Sequence, residues 1–374
     1  MGLRQYKIAD FSKASLFKGR IRGGIALIMV ALILCVGEEF IRQPVHYQVW
    51  GYYPEWLKDE WQKVDLGLFD QILFFDVPVS ADGRMLQVSD WPKKWQNLIV
   101  AAKGTRLQPV FTLFDGKEFE RIFSDANQRK LLQTGMLALT DPADGLQLDF
   151  EIFGAVSGAS SDGYRLFLKS MKRELAAKGK KLSLFVLTED SAGLYDSAAL
   201  QNADYIVIQG YDAHWKGSPN AGSVAELHGA SVDSWDSSLK HYLSLGVPRN
   251  KILMSVPYFG YEWSTISDMP GAPTRGAGRE ISFAPLPAGL VPEVAASARA
   301  RIGQYGVKRD PATGSPYYIF KNKTGWVQGW FEDEASLSAK FEFVRKERLA
   351  GVAVFPLGYD GENFQNLLRR HFRQ

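Results

Sequence analysis

From residue 47 onward, apolar runs of strand length alternate with stretches of helical spacing. The runs are YQVWGYYPEW (47–56), FDQILFFDVPVS (69–80), LQPVFTLFDG (107–116) and DGLQLDFEIF (144–153). They continue with KLSLFVLTED (181–190), ADYIVIQGYD (203–212), ILMSVPYFGYEW (252–263) and GVAVFPLGYD (351–360). Between them, SDGYRLFLKSMKRELAAKG (161–179) sets Tyr164, Phe167, Leu168, Met171 and Leu175 at helical spacing and stops at Gly179. ASLSAKFEFVRKER (335–348) is similar. Eight strands alternating with helices predict an α/β fold, a closed (β/α)8 TIM barrel.

The pattern breaks in two places. Residues 264–328 are rich in Pro and Gly and too long for an ordinary connection. They read as an insertion on the barrel rim between strand seven and its helix, with YYIFKN and GWVQGWF forming a hairpin. The second break is the N-terminus. Residues 1–22 form a basic tail, with Arg4, Lys7, Lys13, Lys18, Arg20 and Arg22 against Asp10. GGIALIMVALILCVG (23–37) follows, uncharged and mostly apolar. It is shorter than the roughly 20 residues of a standard spanning helix, but a basic region before an apolar one is the layout of an export signal. No A-x-A-like cleavage site follows, and Leu34 precedes Cys35 where a lipoprotein signal needs a small residue. The expectation is an uncleaved signal-anchor, single-pass in the inner (cytoplasmic) membrane. The positive-inside rule then puts residues 45–374 outside, in a periplasmic or extracellular space. Cleavage would make the protein secreted, and a buried helix is the plainer alternative.

Composition adds little beyond this. The net charge of +3 is set by the basic tail, which leaves a mildly acidic body. Nucleic acid, which needs a basic surface, is not an expected partner. The single cysteine, Cys35, lies in the apolar segment, so the body has no disulfide and no thiol nucleophile. His46, His214, His228, His241 and His371 show no ligand spacing, so neither a metal site nor a cofactor is expected. His214 is a candidate for the cleft or for a plain loop role.

Most apolar runs end in acids or rings: Glu55, Trp56, Asp76, Asp115, Glu151, Glu189, Asp190, Asp212, Glu262, Trp263 and Asp360. In this architecture the active site lies at the C-terminal ends of the strands. Asp and Glu also cap the following helices, so any one of them is weak testimony. The fourth run is stronger. Gln147, Asp149 and Glu151 alternate with Leu146, Leu148 and Phe150 and share the inward face. Burial and a neighbouring carboxylate both resist ionisation. Glu151 at the open end can therefore stay protonated near neutral pH and act as a general acid. A structural ion pair is the bland alternative, but the run contains no Lys or Arg.

DGLQLDFE (144–151) resembles the D-G-x-D-x-D-x-E signature of glycoside hydrolase family 18, the chitinase-like barrels. IQGYDAHWKGSPN (208–220) resembles the family's M-x-Y-D strand and loop, and ILMSVPYFGYEW its P-x-Y-G segment. GWFEDEASLSAKFEFVRKERLAGVAVFPLG (329–358) resembles its closing stretch, with a D-x-x-S-x-x-x-K pattern. The loop and closing stretch look most like the spore cell-wall hydrolase branch. The resemblance implies a glycosidase that cuts next to a 2-acetamido sugar by a substrate-assisted, retaining route. It implies Glu151 as acid/base, Asp149 as stabiliser of the cyclic intermediate and Tyr211 as a hydrogen-bond partner of the acetamido carbonyl. Gln147, Asp212, Tyr52, Gln209, Phe355 and Trp263 would bind substrate, with Gln147 orienting Asp149.

Four positions depart from the family pattern. Gln147 replaces its central Asp and Gln209 its Met. Phe259 replaces its Tyr, with Tyr258 one place earlier, and Phe355 replaces the Trp under the reacting sugar. These changes favour peptidoglycan or an exopolysaccharide over chitin as the N-acetylhexosamine polymer. The alternative reading is a catalytically weak or inactive carbohydrate-binding protein. Polymer, linkage and oligomeric state are not set by the sequence.

Overall fold

The computed structural model describes residues 46–80, 89–229, 231–294 and 296–373. The basic tail and the apolar segment expected at 1–22 and 23–37 lie outside these residues. Among the described residues, no helix is long and apolar enough to cross a membrane.

Each of the eight apolar runs supplies a barrel strand. Seven follow in succession: β1 (Gln48–Pro54), β2 (Gln71–Pro78), β3 (Arg106–Leu113), β4 (Gly145–Phe150), β5 (Lys181–Val186), β6 (Tyr205–Ile208) and β7 (Ile252–Pro257). The chain then leaves the barrel for β8 (Phe259–Thr265), β9 (Arg279–Ser282), β10 (Ala296–Ser297), β11 (Lys308–Arg309), β12 (Pro316–Asn322) and β13 (Gly325–Trp330). It returns as β14 (Gly351–Phe355), which pairs with β7 on one side and β1 on the other. The eight barrel strands are parallel and the ring closes. Such pairing requires crossovers, and helices such as Gly158–Ala177 and Glu334–Lys346 provide them. On β4, Leu148 is fully buried and Phe150 packs its ring 6.0 Å from Phe123 and 5.9 Å from Tyr164. That outer layer frees the inner face of β4 for polar residues.

One expected element divides. The run 252–263 is two strands, because Pro257 has no N–H to offer a ladder and ends the barrel strand. Tyr258 donates its N–H to the Phe355 carbonyl at 2.6 Å, and from Phe259 the chain belongs to a second sheet. That sheet has the order β10-β9-β8-β13-β12-β11. It contains the expected hairpin, β12 against β13, whose turn is tied by Asn322 Oδ1 accepting from the Thr324 and Gly325 N–H groups. The rim sheet therefore begins inside the seventh run.

The D-x-x-S-x-x-x-K spacing has a structural cause. Asp333 caps the helix Glu334–Lys346 through the Ala335 and Ser336 N–H groups, and Ser336 Oγ accepts from the Asp333 N–H in return. One turn on, Lys340 Nζ meets Glu332 at 2.8 Å, with both side chains buried.

Candidate active site

The C-terminal mouth of the barrel holds a cavity of about 160 Å³. That is below the ~300–1,000 Å³ of pockets for drug-sized ligands, a size suited to gripping one ring of a longer chain. β4 brings Asp149 and Glu151 to it; Glu151 lies one residue past the strand and donates its N–H to the Leu113 carbonyl at 3.0 Å. Behind them, Tyr195 Oη donates to the Phe150 carbonyl at 2.8 Å, pinning the peptide between the two acids.

Segment 209–212 forms the opposite wall. Gly210 is obligatory there, since a Cβ would lie 2.0 Å from the Ser255 carbonyl and 2.6 Å from Trp235 Nε1. Its N–H donates to Ser255 Oγ and its carbonyl accepts from Trp235 Nε1 at 2.8 Å. Asp212 follows in the left-handed region at φ +68°, a conformation that Asp tolerates better than most residues. Its carboxylate accepts from Tyr261 Oη at 3.2 Å and from Gln209 Nε2 at 3.4 Å.

The floor is aromatic. The Phe355 ring stacks on Tyr211 at 6.0 Å and 22°, and stands edge-on to Tyr52 at 5.7 Å, Phe75 at 5.2 Å and Phe259 at 6.1 Å. Such rings give an apolar platform to a sugar's C–H face, while Tyr52 Oη and Asp149 Oδ1 in the same cavity are buried without a hydrogen-bond partner. Two unmet polar atoms at the bottom of a cavity point to a ligand that supplies hydrogen bonds.

The electrostatics follow from confinement. Glu151 is pushed up to about 7 by burial and by the charge of Asp212, while its hydrogen bond with Asp149 pulls the other way. Asp149 is raised well above the usual carboxylate range by burial, then by Glu151 and Asp76. Burial and Glu280 also raise Asp212 to about 7, against its bond from Tyr261. Among the described residues, no Lys, Arg or His lines the cavity. Two titratable partners that disfavour each other's charge are the arrangement general acid–base chemistry uses. Among the described residues, no group of three or more His, Cys, Asp or Glu is arranged to hold a metal ion.

Eight of the nine residues expected at the site come together at the mouth. Glu151, Asp149, Tyr211, Asp212, Tyr52, Gln209 and Phe355 line the cavity, and Gln147 lies beneath it. Gln147 does not reach Asp149: its Nε2 donates to Ser183 Oγ at 3.3 Å, and Ser183 donates on to Gln108 Oε1 at 3.0 Å. The amide joins this chain of hydrogen bonds through its Nε2 alone, since Gln147 Oε1 is buried without a partner. Trp263 does not join the site. It is fully buried in the rim sheet behind Tyr261, its ring 5.5 Å from that of Tyr261. Phe259, not Tyr258, faces the cavity; Tyr258 turns away to pack on Phe364 at 5.0 Å. His214 sits outside the cavity lining and bonds the Ser223 carbonyl at 2.9 Å.

Tyr261 and Glu280 escape sequence reasoning because they come from the rim sheet. Phe75 and Phe185 complete the lining and were readable only as core.

Comparison with known proteins agrees with this geometry. The model of the glycosyl hydrolases family 18 matches residues 48–360. The chain belongs to that family. It is a glycosidase, and the family-18 region spans both the barrel and the rim sheet. Among curated relatives, the chain is 26% identical over 269 residues to the uncharacterized glycosylase YvbX of Bacillus subtilis, covering 69% of this chain and 70% of that one. It is 24% identical over 266 residues to the cortical fragment-lytic enzyme of Bacillus anthracis, covering 67% of this chain but 55% of the relative. Among solved structures, the Bacillus cereus spore cortex-lytic enzyme SleL superposes with a TM-score of 0.69 at 20% identity, over 87% of this chain and 74% of SleL. The Group IV chitinase of Ostrinia furnacalis gives 0.74 at 18% identity, over 88% of this chain and all of the other. At these identities the superpositions speak for the fold.

Proposed function

We propose that this family-18 glycosidase cleaves an N-acetylhexosamine polysaccharide, peptidoglycan or an exopolysaccharide rather than chitin, from the outer side of a membrane to which residues 23–37 anchor it. The observation that carries the reading is the Asp149–Glu151 pair: a buried and a half-buried carboxyl, mutually hydrogen-bonded at the mouth of a barrel, in a cavity that no cation among the described residues lines. The names of the cortex-lytic relatives favour a bacterial wall polymer, as do the departures at Gln209, Phe259 and Phe355.

In this mechanism the acetamido carbonyl oxygen of the bound sugar attacks its own anomeric carbon. The glycosidic C–O bond breaks as Glu151 gives its proton to the leaving oxygen. Asp149, whose Oδ1 is otherwise unpartnered, accepts the acetamido N–H and stabilises the positive charge of the cyclic intermediate. Tyr211 holds the acetamido carbonyl at its angle of attack. Glu151, now a carboxylate, takes a proton from water, which opens the ring from the same face as the departed group. Two inversions give net retention, without the covalent enzyme intermediate of the two-carboxylate scheme. Asp212 keeps the Glu151 proton in place until it is needed.

The basic run before residue 23 and the uncharged segment 23–37 support the anchor. The test incubates the full chain with peptidoglycan, chitin oligosaccharides and the host's exopolysaccharide, and follows reducing ends together with the anomer first formed. Cleavage of a wall or secreted polymer with retention, by protein recovered in the membrane fraction, is the expected result. Binding of all three polymers with release from none would support the carbohydrate-binding reading instead.

A further inference from the structure

The cleft carries more acid than the proposed mechanism uses. Glu280 enters it from β9 of the rim sheet, beside Tyr261, and faces the same cavity as Asp212. Asp76, at the end of β2, acts on Asp149 and is held by Thr112 Oγ1 at 2.5 Å. Glu55 in turn feels Asp76, although neither of these two lines the cavity itself. Among the described residues, none of these carboxylates has an ion-pair partner within 4 Å, although ten pairs place Arg on Asp or Glu. Lys216 lies near enough to favour the charge of Glu280, and Tyr359 hydrogen-bonds it, but Lys216 is not part of the cavity lining. The same cavity presents the buried, unpartnered Asp149 Oδ1 and Tyr52 Oη. Four carboxyls (Asp149, Glu151, Asp212 and Glu280) line the cavity with no cation among the described lining residues, and the missing partner is a cationic donor.

We propose that the substrate of this cleft is a partly de-N-acetylated hexosamine polymer, in which Glu280 receives the ammonium of a sugar next to the one being cleaved. The inference rests on the glycosidase reading of the cleft given above. The reacting sugar keeps its acetamido group, because that group supplies the attacking oxygen. Its neighbour offers an ammonium, with three N–H donors and the opposite charge. A fully acetylated neighbour offers the half-buried Glu280 no cation within the cavity, so the cleft discriminates by charge rather than by shape.

The test uses the full chain on peptidoglycan and on N-acetylglucosamine hexamers, each before and after partial chemical de-N-acetylation. The readout is the ratio of kcat/KM on the treated material to that on the untreated. The expected ratio is about tenfold at low salt, the scale of one hydrogen bond to a charged group, and it shrinks as salt is raised. Glu280→Gln keeps the shape, removes the charge and brings the ratio toward one. A wild-type ratio at or below one, or one insensitive to salt, overturns the inference even if Glu280→Gln fails to fold. A ratio unchanged in folded Glu280→Gln overturns the assignment to that residue. Cleavage of untreated material without preference leaves the glycosidase reading standing, whereas no cleavage of any material removes both.

Discussion

The buried acids of the rim and flank differ from those of the cleft in their company. Glu262, in the rim sheet, accepts from Arg301 Nε at 2.9 Å and from Tyr318 Oη at 2.9 Å, with Arg279 at 3.4 Å. Glu332 meets Lys340. In each place the charge that burial penalises is answered by a cation, as is usual for buried ions. Asp149 is equally buried, Glu151 and Asp212 half-buried, and they have each other, hydroxyls and amides instead. Paired acids hold the fold together, while unpaired ones oppose it, which on the proposed mechanism is offset by their use as proton carriers. The comparison gives a way to tell structural from chemical carboxylates before any substrate is known.

Breaking the comparison on its paired side gives the largest effect on stability. Lys340→Met leaves Glu332 buried alone and is expected to cost about 3–5 kcal/mol in urea unfolding. Replacing both residues by apolar ones should return most of that loss.

On the unpaired side the sign reverses. Folding moves Glu151 from its ordinary 4.5 up to about 7. The unfolded chain therefore ionises first, and native stability declines as pH rises from 4.5 to 7 and stays reduced above it. Glu151→Gln removes that penalty. It should stabilise the protein by roughly 3 kcal/mol at pH 8 and hardly at all at pH 4, read as a difference in melting or urea midpoint. Equal effects at both pH values would break the comparison.

Three smaller effects sharpen it. The acid must be protonated to work, so kcat/KM is expected to fall as pH rises through about 7. Asp212→Asn removes a charge that holds the Glu151 proton, and should move that descending limb to lower pH. Tyr195→Phe frees the Phe150 carbonyl between the two acids. It should lower kcat several-fold with little change in KM, at the cost of about 1 kcal/mol of stability for one lost hydrogen bond.

The barrel was legible because all eight strands are apolar runs and the helices between them have clear periodicity. Asp149 and Glu151 were legible because they alternate with apolar residues along one strand, whereas Tyr211 was read only through the family resemblance of the stretch that holds it. What stayed hidden depends on contacts distant in sequence. Pro257 breaks a run that reads as one strand, so Trp263 looked like a strand-end ring when Tyr261 is the one at the cavity. Glu280 looked like part of a Gly-rich loop, REIS giving no sign that it would face Asp212. The role of Gln147 was misread for a related reason: its partner, Ser183, lies on the neighbouring strand 36 residues away.

The most direct test of the central claim compares reducing-end release from peptidoglycan by the full chain and by Glu151→Gln, with binding of the same polymer followed in parallel. The account predicts a loss of about 10²–10⁴-fold in release, the usual contribution of a general acid–base group, with binding retained. Release by Glu151→Gln at near the wild-type rate would contradict it.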